Sequence, residues 1–177
     1  GLTDIRKQYN LQDRNIILSV GRLIKRKGVL EFIQHSMPKI VQQCPQIMYL
    51  VIGDEPAKAL KKDASIRKQI NAAIKQYHLE NHVLLLGETS DEILFSAYRN
   101  ADALIFPIID LPGDVEGFGM VAVEAAAHGT PTFAFRAGGV SDAVKHEETG
   151  ILVNPGNYES LALSVVKGIK GGIRDSM

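Results

Sequence analysis

The sequence predicts an α/β domain: one parallel sheet of about six strands, doubly wound by helices on both faces. Short and almost wholly apolar runs alternate with longer amphipathic stretches along the whole chain. Each run is only three to five residues long, and each leads into a loop that carries glycine. Runs without polar alternation suit strands covered on both sides, and strand–helix alternation is the mark of βαβ units.

The runs are Ile16–Val20, Met48–Ile52, Val83–Leu86, Ala103–Phe106, Thr132–Phe135 and Ile151–Val153. Between and after them lie five helical stretches, Val29–Gln43, Ser65–Tyr77, Asp91–Asn100, Met120–His128 and Tyr158–Lys167. In the second, Ile66, Ile70, Ala73, Ile74 and Tyr77 recur at helical spacing. Ser90 followed by Asp91 and Glu92 gives the third a capping residue and acids suited to its dipole. Gly129 is placed to end the fourth in a left-handed turn, with Pro131 just beyond.

Composition narrows the functional classes. The 177 residues are enough for one domain, with 45% hydrophobic and 23% charged side chains. Twenty basic and twenty acidic residues cancel, which removes the usual ground for a broad nucleic-acid or anionic-membrane surface. A single cysteine, Cys44, excludes an internal disulfide and a cysteine-rich zinc site, and fits a reducing, cytosolic setting. No apolar run reaches the roughly 18–20 residues of a membrane helix, and GLTDIRKQYN does not read as a signal peptide.

In sheets of this type, ligands sit beyond the carboxyl ends of the strands, so the loops there are the candidate site. The first reads V-G-R-L-I-K-R-K-G and sets Arg22, Lys25, Arg26 and Lys27 between Gly21 and Gly28. These cations suit phosphate oxygens, Arg as a fork and Lys as a mobile point charge, or they form a solvated basic turn. The Walker pattern is missing. Farther on, D-V-E-G-F-G-M-V-A-V-E brackets Phe118 with Gly117 and Gly119 where a helix should start, leaving free N–H groups to face an anion. Glu116 precedes that helix and Glu124 lies within it. Eight residues of helix would hold the carboxylates about 12 Å from each other, too far for a glycosidase couple. The alternative is a capping Glu116 and a merely exposed Glu124.

Gly117–Ala122 also matches G-x-G-x-x-A. A dinucleotide fingerprint follows its strand directly, however, and here Pro107–Glu116 intervene. His78 and His82 stand four apart, but at a helix end, where a structural role is the commoner one.

Taken in order, GRLIKRKG, VIGDEP, HVLLLGET, ADALIFP, EGFGMVAVEAAAHGTP, AGGVSDAV and HEETGILVNPGN resemble the C-terminal half of the group 1 (family 4) glycosyltransferases, retaining enzymes of the GT-B type. The likeness spans about Asn15 to Lys167, and Glu-x7-Glu from Glu116 to Glu124 is its most specific element. It implies a Rossmann-like donor-binding domain at 15–177, a linker remnant at 1–14, and an N-terminal acceptor domain that this chain lacks.

The resemblance also implies residue roles. Arg22 and Lys27 would bind the donor diphosphate, and Glu116 a hydroxyl of the donor sugar. The amides of Gly117, Phe118 and Gly119, with Met120 beside them, would line sugar and phosphate. Glu124 would hold the ribose, and Gly87, Glu88 and Thr89 would form a piece of the base pocket, with Gly21 and Gly53 lining the cleft. No cofactor or metal is expected, because no DxD follows a strand. The implied partner is a UDP-, GDP- or ADP-linked sugar, in cytoplasmic carbohydrate biosynthesis. Peripheral membrane contact through the missing domain stays open. A non-catalytic nucleotide or sugar-phosphate binding module on the same scaffold is the alternative. Two departures from the family pattern stand out. Glu55 replaces a usual glycine and is expected to add a carboxylate near the cleft, and PIIDLPGDV carries Asp110 and Asp114 ahead of Glu116.

Overall fold

The computed structural model describes residues 2–57, 65–113, 117 and 119–177. Six strands form one sheet: β1 (Asn15–Val20), β2 (Ile47–Ile52), β3 (Val83–Gly87), β4 (Ala103–Phe106), β5 (Thr132–Phe135) and β6 (Gly150–Val153). Their order is β3-β2-β1-β4-β5-β6, and every adjacent pair is parallel. β1 and β2 pair in register from Asn15↔Ile47 to Val20↔Ile52. All residues of β2, β4 and β5 are buried, as strands covered on both faces require. The strand order reverses between β1 and β4, so a crevice opens there at the carboxyl edge.

The helices are α1 (Ile5–Gln8), α2 (Val29–His35), α3 (Met37–Gln43), α4 (Ile66–Gln76), α5 (Asp91–Asn100), α6 (Met120–Ala127), α7 (Val140–Ala143), α8 (Tyr158–Lys170) and α9 (Ile173–Ser176). α2 packs with α3, α4 and α8 on one face; α5 lies against α1 and β1, and α6 against β4 and β5, on the other. The stretch expected to be one helix over 29–43 is broken at Ser36. Pro38 enters the first turn of α3, where its missing N–H is harmless; inside a continuous helix its ring would meet the carbonyl four residues back. Ser36 uses the break, donating to the carbonyl of Tyr158 at 2.8 Å.

The segment around α1 is tied to α5. Ile5 is wholly buried and its amide donates to Ser96 Oγ, while Arg6 donates to the carbonyls of Leu11, Arg14 and Asn100. His82 Nδ1 faces the carbonyl of Ile47 at 2.9 Å, and His78 sits at positive φ past α4.

Glu55 corrects an expectation. Its carboxylate is not free in the cleft: the residue is only 7% exposed, accepting from Ser65 Oγ and the amide of Arg67, both at 2.7 Å, at the start of α4. Burial alone would raise this carboxyl; the hydrogen bonds from Ser65 and from the backbone of Arg67, with the charge of Arg67, hold it below the ordinary carboxylate range. A carboxyl depressed on folding gives stability that is present above its unfolded value and lost as pH falls through the folded one.

One polar node lies within the sheet itself. Ser19 Oγ donates to the carbonyl of Ile105 and meets Tyr49 Oη, both at 2.6 Å, joining β1, β4 and β2. Tyr49 is fully buried, and burial holds its phenol protonated far above the ordinary range, with the Ser19 hydrogen bond opposing only in small measure.

Ser19→Ala, which strands the Tyr49 hydroxyl, is expected to cost about 1–3 kcal/mol in denaturant unfolding, and adding Tyr49→Phe should recover some of that loss. Glu55→Gln should lower thermal stability near neutrality, and its deficit against the parent should shrink as pH falls below about 4.

Candidate functional site

The loops at the carboxyl edge are joined through their backbones. Gly21 N–H donates to Ile52 O and Leu23 N–H to Asp54 O, both at 3.0 Å, tying the loop after β1 to that after β2. Gly53 N–H donates to Gly87 O at 2.8 Å, and Ile109 N–H to Arg26 O at 2.9 Å, adding the loops after β3 and β4. Two glycines make this nesting possible. A Cβ at Gly53 would fall 1.9 Å from Gly21 O, and one at Gly28 would fall 1.9 Å from Pro107 O; both positions have φ in the range that disfavours other residues, +123° and +73°.

Two adjoining hollows open on this edge. Gly21, Arg22, Gly53, Glu88 and Thr89 line the wider one with Asp54 and Leu94. Gly21, Arg22 and Lys27 also line a narrower one, floored by Ser19, Ile105 and Phe106. Gly87 adjoins the first by its bridge to Gly53. Thr89 Oγ1 is buried and has no hydrogen-bond partner among the described residues. Arg67 reaches the same rim and pairs with Asp54 at 2.9 Å. The charge of Asp54 is thereby balanced beside the cleft.

Phe106 joins the basic loop to the start of α6. Lys27 Nζ lies 5.6 Å from the centroid of its ring, and the Lys27 stem runs along Gly21. Gly119 packs so closely on the same residue that an added Cβ would come within 2.9 Å of Phe106 Cε1. The cations near residue 22 and the bend before α6 therefore share one end of the sheet. Gly119, at φ +81°, turns the chain into α6 and has no side chain with which to cap the first N–H groups of that helix. Gly117 is exposed, as is Met120, at 59%. Glu116, Phe118 and Asp114 lie outside the described residues. Asp110 is committed elsewhere, its Oδ2 accepting the amide of Gly138 at 3.1 Å and bracing the loop after β4 against that after β5.

Glu124 is exposed on α6, and its Oε2 accepts a hydrogen bond from Tyr98 Oη at 2.9 Å. Tyr98 stands one turn beyond Leu94, a lining residue of the wider hollow, on α5. Sequence reading missed Tyr98, Arg67 and Phe106. A weak signal was present for Tyr98: it follows Leu94 by four positions on a helix that runs from the Glu88–Thr89 loop. Among the described residues no three His, Cys, Asp or Glu side chains gather as metal ligands, and no helix is long and apolar enough to cross a membrane.

Known proteins place this geometry in a family. The chain is 32% identical over 163 residues to an uncharacterized glycosyltransferase of Methanocaldococcus jannaschii, covering 92% of this chain and 38% of that one. It spans only 35–38% of the first three curated relatives it matches. Anabaena HepE, solved in complex with UDP and glucose, superposes with a TM-score of 0.79 at 26% identity over 96% of this chain and 42% of its own. The C-terminal domain of a glycosyl transferase group 1 family protein (LpcC) from Francisella tularensis superposes at 0.78 with 25% identity, over 95% of this chain and 82% of its own. The family model of the glycosyl transferases group 1 matches residues 3–175, nearly the whole of this chain, which therefore belongs to that family, with the GT-B architecture of its structural neighbours.

Proposed function

We propose that this chain is the donor-holding domain of a retaining glycosyltransferase, which takes a sugar from a nucleoside diphosphate sugar and passes it to an acceptor held by a further domain. The observation that carries this reading is the approach of both Lys27 and Gly119 to the Phe106 ring, with Arg22 and Lys27 lining the hollow beside it.

Cleaving a sugar–phosphate bond leaves negative charge on the departing diphosphate. Arg22 offers a forked donor, Lys27 a mobile ammonium, and the first turn of α6 a set of oriented N–H groups with the helix dipole behind them. Each is worth more as the charge grows, which favours the transition state over the bound donor. With those groups in place, the charge is met without a metal. Glu124 binds the ribose, and the Gly87–Thr89 loop contacts the base through its backbone. Glu116 holds a hydroxyl of the donor sugar; its role rests on the family resemblance and its place in Glu-x7-Glu. No side chain of this domain is offered as the base for the acceptor, which fits a cleft completed by another domain. The UDP seen in HepE supports a nucleoside diphosphate as the leaving group.

Titration calorimetry of the chain with UDP, GDP and ADP should show weak binding with one preferred base, and Arg22→Ala should reduce it by at least about 1.5 kcal/mol. Unchanged affinity in that variant would refute the phosphate grip. The chain alone should transfer no sugar in an assay with a labelled nucleotide sugar. Within a full-length enzyme, Glu116→Ala should lower turnover far more than nucleotide affinity; equal losses would point to a binding module without catalysis.

A further inference from the structure

We infer that Tyr98 is a positioning residue that fixes the Glu124 carboxylate for a ribose diol, and so sets the preference for ribose over 2′-deoxyribose. The inference deepens the proposed role of Glu124 and rests on it.

A glutamate on an exposed helix face samples several rotamers, and ordering it opposes binding. Here the ordering is already done. Tyr98 Oη donates to Glu124 Oε2 at 2.9 Å, which leaves Oε1 to accept from a ligand. Tyr98 itself is wholly buried. Burial first, then the hydrogen bond and charge of Glu124, hold its phenol protonated far above the ordinary range, so it stays a donor at any working pH.

Tyr98 is held in turn by a closed set of contacts. The His128 ring stacks on it at 5.3 Å and 12°, and His128 Nδ1 donates to the Glu124 carbonyl at 2.8 Å. Thr130 Oγ1 donates to the Tyr98 carbonyl at 2.5 Å. Arg174, from α9, donates to the carbonyls of Tyr98, Ala101 and His128 and to Thr130 Oγ1. Segments distant in sequence thus converge to aim one surface carboxylate. That is more bracing than a solvated helix face requires.

The test is calorimetry of the chain with UDP, GDP and ADP, each beside its 2′-deoxy counterpart. The unaltered chain should favour the ribonucleotide about tenfold, as expected for a hydrogen bond to a charged group. Glu124→Ala should abolish that preference. Tyr98→Phe keeps the ring and its stack but removes the donor. It should cut the preference about threefold or more while lowering 2′-deoxy affinity much less, since that ligand offers Glu124 only its 3′-hydroxyl. General damage to the fold would lower both affinities together. His128→Ala, which removes the stacked ring, should lose some of the same preference and gives the same reading if the phenylalanine variant does not fold. No ribose preference in the unaltered chain, or one that survives Glu124→Ala, overturns the role of Glu124 and this inference with it. A preference lost in Glu124→Ala but intact in Tyr98→Phe and His128→Ala overturns the inference about Tyr98 alone.

Discussion

Backbone meets backbone at the carboxyl edge of the sheet more closely than any side chain would permit, and the site depends on that approach. Gly53 lies over the carbonyl of Gly21, and Gly28 lies against that of Pro107, each at a distance that excludes a Cβ. Because these contacts are steric, they hold whatever the ligand or salt, and they fix the loops after β1, β2 and β4 relative to one another. Hydrogen bonds from Gly53 to Gly87 and from Ile109 to Arg26 complete the set. Without such nesting, the cations of the first loop would sit on independently moving turns, and ordering them on an anion would oppose binding.

Charge at this edge is arranged locally although the whole chain is neutral. Three acids near the cleft have partners, while Glu88 is exposed on the wider hollow. Asp54 pairs with Arg67, Glu55 caps α4, and Asp110 receives the Gly138 amide. Arg22 and Lys27 line the crevice itself. The lysine stem lies along Gly21 and its head over the Phe106 ring, whose face attracts a cation, so its reach is directed before any ligand arrives.

The strands were legible because a fully covered parallel strand leaves a signal that chance seldom makes: β2 is apolar at every position but Tyr49 and buried at every position. Helix starts at Ser65 and Ser90 were legible for a similar reason, since a hydroxyl just before an amphipathic run satisfies free N–H groups. The break at Ser36 was not, although Pro38 marked it, because amphipathic spacing continues across the proline. Glu55 misled for a different reason. Its replacement of a glycine pointed to the cleft, whereas the carboxylate turns toward the start of α4, and that direction depends on where Ser65 and Arg67 fall in space.

By itself the sequence determined the layered α/β class, the loops that form the candidate site and the family, because periodicity, glycine placement and a run of motifs are properties of order along the chain. Tertiary structure alone decided which side chains cooperate. His128, Thr130 and Arg174 meet Tyr98, and Tyr98 meets Glu124, only because α5, the loop after α6 and α9 pack together across long separations in sequence. Hydrogen bonds depend on distance and angle, and the spacing of residues along a chain encodes neither until the helices are docked on their sheet.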